Sequence, residues 1–181
     1  MAPKHLIIDG YNLLGAMGLP PSQVVANGER YREEFIVRVG RYGQSLYCPI
    51  TLVFDAWQQS GNSRQVHHRA GVTVIYSAQG ERADHVIQHL IRVQGKETAV
   101  VSSDREVIDV AKTFGAFSIR SQEFMGRLTT ANPPRSTAIR SSHRESHEDA
   151  YQAPPRSKDK KGNPRKLPNK LRQRNRIMKK F

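Results

Sequence analysis

The chain has 181 residues, with 29 Lys and Arg against 16 Asp and Glu, a formal net charge of +13. That length suits one domain with an appendage, and the charge points to a polyanionic partner before it says anything about fold. The single cysteine, Cys48, excludes an internal disulfide and a cysteine zinc cluster, and no stretch reaches the roughly 18 apolar residues that a membrane helix needs.

The start carries no apolar run behind a basic patch, so a cytoplasmic protein away from the membrane is expected. The first strand is expected over 5–8, His-Leu-Ile-Ile. A helix over 28–46 follows, with Tyr31, Phe35, Val39 and Tyr42 spaced by three or four. Strands over 50–54 and 72–76 flank a segment, 56–69, whose larger apolar groups are Trp57 and Val66. That segment reads as a loop with a short helix. A helix over 81–93 carries Val86, Ile87, Leu90 and Ile91. A strand is expected over 98–102, a helix over 104–114 closed by Gly115, a strand over 116–119 and a last helix over 121–130. Consecutive apolar residues in the strands mean that both sheet faces are covered, as in a parallel sheet. The expectation is an α/β doubly wound domain over roughly 3–130, within a unit spanning 1–131.

From 132 the composition turns to Pro, Ser, Arg and Lys. Residues 135–181 hold 15 Lys and Arg against 4 Asp and Glu, whereas the first 134 hold 14 against 12. Residues 132–181 therefore read as a basic, largely disordered tail, with 132–165 as linker. Leu171, Ile177 and Met178 could support a short basic helix that orders on a partner.

Ligands of a parallel sheet bind beyond the carboxyl ends of its strands. Asp9, Asp55 and Asp104 follow three of the expected strands, and Glu81 and Asp84 lie three apart at the start of the helix after the 72–76 strand. Carboxylates gathered on one rim repel unless a cation lies between them, and Mg²⁺ or Mn²⁺ suits such hard oxygen ligands. Each acid also has a plainer reading, since Asp at a strand end often caps the next helix and acids suit a helix N-terminus. Other chemistries fail specific tests. Tyr11 stands where an aspartyl-phosphate phosphatase wants a second Asp. The stretch 9–14, Asp-Gly-Tyr-Asn-Leu-Leu, has one Gly and lacks the Gly-x-Gly spacing of a dinucleotide fold, and no phosphate-binding Gly-Lys-Ser/Thr loop exists. His85 and His89 are four apart without a following Glu and read as an exposed helix face, and His67-His68 reads as surface.

The string Ile8-Asp9-Gly10-Tyr11-Asn12-Leu13-Leu14 resembles the opening motif of NYN domains, a PIN-like nuclease group. Val53-Phe54-Asp55-Ala56, Gly80-Glu81-Arg82-Ala83-Asp84 and Val101-Ser102-Ser103-Asp104 are similar, in order and spacing, to the YacP-like bacterial branch over residues 4–128. The resemblance implies a PIN-like three-layer sandwich with a five-stranded, mostly parallel sheet, and a divalent-metal endoribonuclease. It makes Asp9, Asp84 and Asp104 the core acids, with Asn12, Asp55, Glu81 and Ser103 supporting metal or water. It also implies messenger or ribosomal RNA as substrate and the ribosome as a partner.

The alternative to a nuclease is a non-catalytic RNA- or ribosome-binding module on the same fold. A DNA nuclease would use the same chemistry. Arg64, Arg69 and Arg82 near the rim are candidates to hold phosphates. In the tail, so are Lys160, Lys161, Arg165, Lys166, Lys170, Arg172, Arg174 and Arg176. Trp57, Tyr11 and Tyr76 are candidates to stack on bases.

Overall fold

Each of the five apolar runs forms a strand in a computed structural model of the chain. The structure describes residues 3–18, 21–46, 48–56, 62–131 and 169–179. The elements are β1 (His5–Asp9), α1 (Gly10–Ala16), α2 (Pro21–Leu46), β2 (Ile50–Phe54), β3 (Gln65–Arg69) and β4 (Val72–Tyr76). They continue with α3 (Ala83–Gln94), a single 3-10 turn at Gly95–Glu97, β5 (Thr98–Val101) and α4 (Arg105–Phe114). Last come β6 (Phe117–Ile119), α5 (Ser121–Ala131) and α6 (Asn169–Met178).

The sheet runs β3-β4-β2-β1-β5-β6 and is parallel except for β3, which pairs antiparallel with β4. It has six strands where the sequence predicts five. The addition, β3, falls in the 56–69 segment read as a loop with a short helix. An edge strand pairs on one side only and buries little, so it needs no apolar run. In β3 only Val66 is apolar, and it is 55% exposed. The tight turn into β4 sets Ala70 at φ 51 and Gly71 at φ 77, the left-handed pair that a two-residue hairpin requires.

Alternate strand residues feed two cores, one on each face. Leu6, Ile8, Leu52, Phe54, Val74 and Val101 pack against α1, α2 and α5. Ile7, Val53 and Val100 pack against Val86, Ile87 and Ile91 of α3 and Val107 and Ala111 of α4. The result is a three-layer sandwich.

Two helices depart from the sequence reading. The short α1, set directly against β1, was not foreseen. The α6 segment, expected to order on a partner, lies on the chain's own domain. Met178 is 3% exposed within the first core and Ile177 packs against it. Arg174 pairs with Glu123 at 2.7 Å and lies 5.7 Å over the Phe117 ring, and Arg127 donates to the Met178 carbonyl. Residues 132–165, read as linker, lie outside the described residues.

The chain leaves β1 toward β2 and later returns across it to β5, so the strand order reverses between β1 and β5. That crevice is where a doubly wound sheet places its ligands.

Candidate active site

Asp9 ends β1 at this crevice and is 6% exposed. Gly10 begins α1 directly behind it because no side chain fits there: a Cβ would stand 2.2 Å from Cε1 of Phe54. The helix N-terminus so placed gives Asp9 a donor, with Asn12 N–H reaching Oδ1 at 3.1 Å. Ser102 Oγ, at the end of β5, donates to Oδ2 at 3.1 Å. Burial pushes the Asp9 carboxyl up to about 6. The two donors oppose that shift, and the charges of Asp84 and Asp55 add to it.

Asn12 ties the crevice together. Its Oδ1 accepts from Ser103 N–H at 3.0 Å and from the buried Ser121 hydroxyl at 2.6 Å. Ser103 Oγ in turn accepts from Ser121 N–H at 3.2 Å. Asp104 is the N-cap of α4 and takes N–H bonds from Glu106 and Val107 at 2.7 and 3.4 Å. Its own N–H reaches Ser102 Oγ at 3.1 Å, so Ser102 links Asp104 to Asp9.

Asp84 stands in the first turn of α3, with its side chain 15% exposed, and pairs with Arg82 at 2.5 Å. Burial raises its carboxyl, Asp104 and Asp55 raise it further, and Arg82 opposes them. Asp55, after β2, accepts from the Ala83 N–H at 2.6 Å and so caps α3 from a distance. Asp9, Asp55, Asp84 and Asp104 therefore act on one another electrostatically at one rim.

Glu81 is drawn elsewhere. It lies before α3 rather than within it, and Arg64 grips both its oxygens at 2.5–3.1 Å. That bond, helped by the Ala78 N–H at 3.1 Å, holds its carboxyl down to about 2. Arg69, at the turn end of β3 opposite Val72, pairs with Glu33 of α2 at 2.6 Å and with none of the four acids. Of the rim arginines, Arg82 alone among the described residues touches one of the four gathered acids.

Tyr11 is half-buried, its hydroxyl accepting from Arg32 at 2.9 Å, and Tyr76 is stacked on Phe54 at 5.8 Å. Trp57, Lys160, Lys161, Arg165 and Lys166 lie outside the described residues, as does the side chain of Lys170. Arg172 and Arg176 are exposed on α6. His85 and His89 are exposed on α3, as expected, whereas His67 is half-buried. The sequence reading missed Ser102 and Ser121. The signal for Ser102 was its place between a buried strand and Asp104; Ser121 gave none, because it meets Asn12 only through the fold.

Among the described residues, no three His, Cys, Asp or Glu side chains already form a cage for an ion. Mg²⁺ keeps several waters and needs only one or two protein carboxylates. Two carboxyls raised by burial and by their neighbours' charge are chemically suited to that role.

The family model described as YacP-like NYN domain matches residues 6–166. Two solved structures of Rae1 (YacP) from Bacillus subtilis are similar to this chain. A single-residue mutant of it is 24% identical, with a TM-score of 0.56, over 71% of this chain and 76% of that one. The other is 25% identical, with a TM-score of 0.55, over 70% of this chain and 74% of that one. No curated protein matches the sequence.

Proposed function

The chain belongs to the YacP-like NYN domain family, related to PIN-like nucleases, and from that membership we propose that it is a divalent-metal-dependent endoribonuclease. One observation carries the reading: a buried Asp9, its carboxyl pushed up to about 6, with three further aspartates around the strand-order reversal. A carboxylate so desolvated costs stability unless a cation or substrate uses it.

Asp9 and Asp84 would hold Mg²⁺ or Mn²⁺, with Asp104 and Asp55 adding negative charge around it. Such an ion lowers the pKa of a bound water and stabilises charge on phosphate oxygens. The chain's own residues orient the rest. Ser102 fixes the Asp9 carboxylate, and Asn12 holds the Ser103 backbone and Ser121 in register across the crevice. Arg82, 61% exposed beside Asp84, would meet a phosphate of the RNA backbone. Glu81 and Arg64 satisfy each other and lock the loop leading into α3.

Messenger or ribosomal RNA at the ribosome is the substrate we propose, approached through the cationic C-terminal region. The competing reading, a non-catalytic RNA-binding module, is favoured by the fact that each rim acid already holds a donor. Incubation of the pure chain with RNA and matching DNA oligomers, in Mn²⁺ and in chelator, separates the two. Metal-dependent cleavage of RNA, lost in Asp84→Asn, is expected. RNA binding without cleavage in any divalent metal would leave the binding module, and cleavage of DNA alone would make it a DNA nuclease.

A further inference from the structure

Between α2 and the β3–β4 hairpin lies a cavity of about 140 Å³. The register sets Gln65 opposite Tyr76 and His67 opposite Val74, so these residues share the sheet face that looks toward α2. The His67 ring meets the Tyr76 ring edge-on at 5.8 Å. Across the cavity stand Arg32 and Glu33 of α2. Tyr76 stacks on Phe54, Phe54 meets Tyr11 edge-on at 5.3 Å, and Tyr11 bonds back to Arg32. A continuous wall of rings thus joins the cavity to α1, which begins beside Asp9.

The size and lining decide what fits. Pockets for drug-sized ligands run to about 300–1,000 Å³, so this one takes a single flat ring system rather than a cofactor. Arg32 and Arg69 face Glu29 and Glu33 in number, so a phosphate finds no net attraction. A ligand with donors and acceptors on one edge does. Arg69 Nη1 donates to Glu33 Oε1 at 2.6 Å, with the two side chains 55% and 43% exposed. An exposed pair of this kind is held weakly and opens readily. It sets a carboxylate acceptor beside a guanidinium donor. The guanine edge presents the complement, with two adjacent N–H donors next to its O6 acceptor. Adenine, cytosine and uracil have no such pair of adjacent donors. Unpaired RNA bases are read in this way, splayed out against aromatic and Arg side chains and bonded along their edges.

We propose that this pocket seats an unpaired guanine of the RNA, with Glu33 accepting from its two N–H groups and Arg69 donating to O6. This rests on the nuclease reading for its substrate and makes cleavage depend on a guanine in the bound strand, apart from the nucleotides at the acids. Anisotropy of labelled single-stranded oligoadenylate, with and without one central guanine, measures binding to the full chain in chelator, where cleavage is absent. The guanine oligomer should bind about tenfold more tightly, the discrimination expected of one bidentate base contact. Glu33→Gln should erase that preference and leave affinity for plain oligoadenylate unchanged, since an exposed side chain does not carry the fold. Equal affinity of the wild type for both oligomers, absence of binding to either, or a preference that survives Glu33→Gln overturns the proposal. The same oligomers in Mn²⁺ separate the two readings. Guanine preference without cleavage keeps the pocket and removes the nuclease, and cleavage indifferent to guanine does the reverse.

Discussion

Asp9 is kept at a cost that its neighbours only partly offset. With its carboxyl near 6 in the folded chain and about 3.9 when unfolded, the folded state holds a proton between those values that the unfolded state has lost. Stability therefore falls as pH rises through that window, and above it the charged, buried group costs roughly 3 kcal/mol. Asp9→Asn removes the charge, while its amide can still accept from Asn12 and meet Ser102. We predict that it raises the melting temperature of the metal-free protein at pH 7.5 and that the gain vanishes near pH 4. Added Mn²⁺ should stabilise the wild type and not the variant, and cleavage should be abolished. Metal affinity of the wild type should fall as pH drops below about 6, where Asp9 takes up its proton. Thermal unfolding across pH, with and without Mn²⁺, checks all of these, and a variant less stable than wild type at pH 7.5 would contradict the account.

Helix α2 and the β3–β4 hairpin meet at a close backbone approach, besides their shared core and the Arg69–Glu33 pair. A Cβ on Gly40 would stand 2.2 Å from the Ala70 carbonyl oxygen, in the turn where Ala70 and Gly71 both take positive φ. The contact is with backbone, so no side chain can swing aside. Gly40→Ala should destabilise the chain by about 1–3 kcal/mol, the usual range for overpacking a tight site, and should widen the cavity between α2 and the hairpin. Urea unfolding reads the first effect. Weaker guanine preference at unchanged oligoadenylate binding reads the second. A neutral Gly40→Ala would show that the helix slides without loss.

At the scale of the molecule, the acidic rim and the basic helix α6 are parts of one folded unit among the described residues. Met178 is buried in the core on the α1–α2–α5 face, while Arg172, Arg176 and Lys179 point outward. Met178→Ala should cost about 2 kcal/mol, the low end for a buried Met at a peripheral helix, and ending the chain at Thr130 should lower the melting temperature rather than leave it unchanged. The charges of α6 can be tested without disturbing that packing. Arg172→Gln, Arg176→Gln and Lys179→Gln together should leave stability near wild type. If all three meet phosphates, the log–log salt slope of single-stranded RNA binding should become shallower by about 2. An unchanged slope would remove α6 from RNA binding.

The sequence by itself determined the five parallel strands of the sheet, because runs such as Leu6-Ile7-Ile8 and Leu52-Val53-Phe54 can be buried only on both faces, and that demands covering helices. It also determined which acids stand at strand ends, since Asp9 and Asp55 follow such runs directly and Asp104 comes two serines after Val101. Only the tertiary structure decided what those acids do beside one another. Asp104 and Asp55 prove to be helix caps as well as rim charges, and Glu81 answers to Arg64, seventeen positions away at the other end of the β3–β4 hairpin segment. Strand β3 escaped the sequence because an edge strand with one neighbour needs no apolar pattern. The place of α6 escaped it because two apolar residues among arginines find a core only where the rest of the fold leaves room for them.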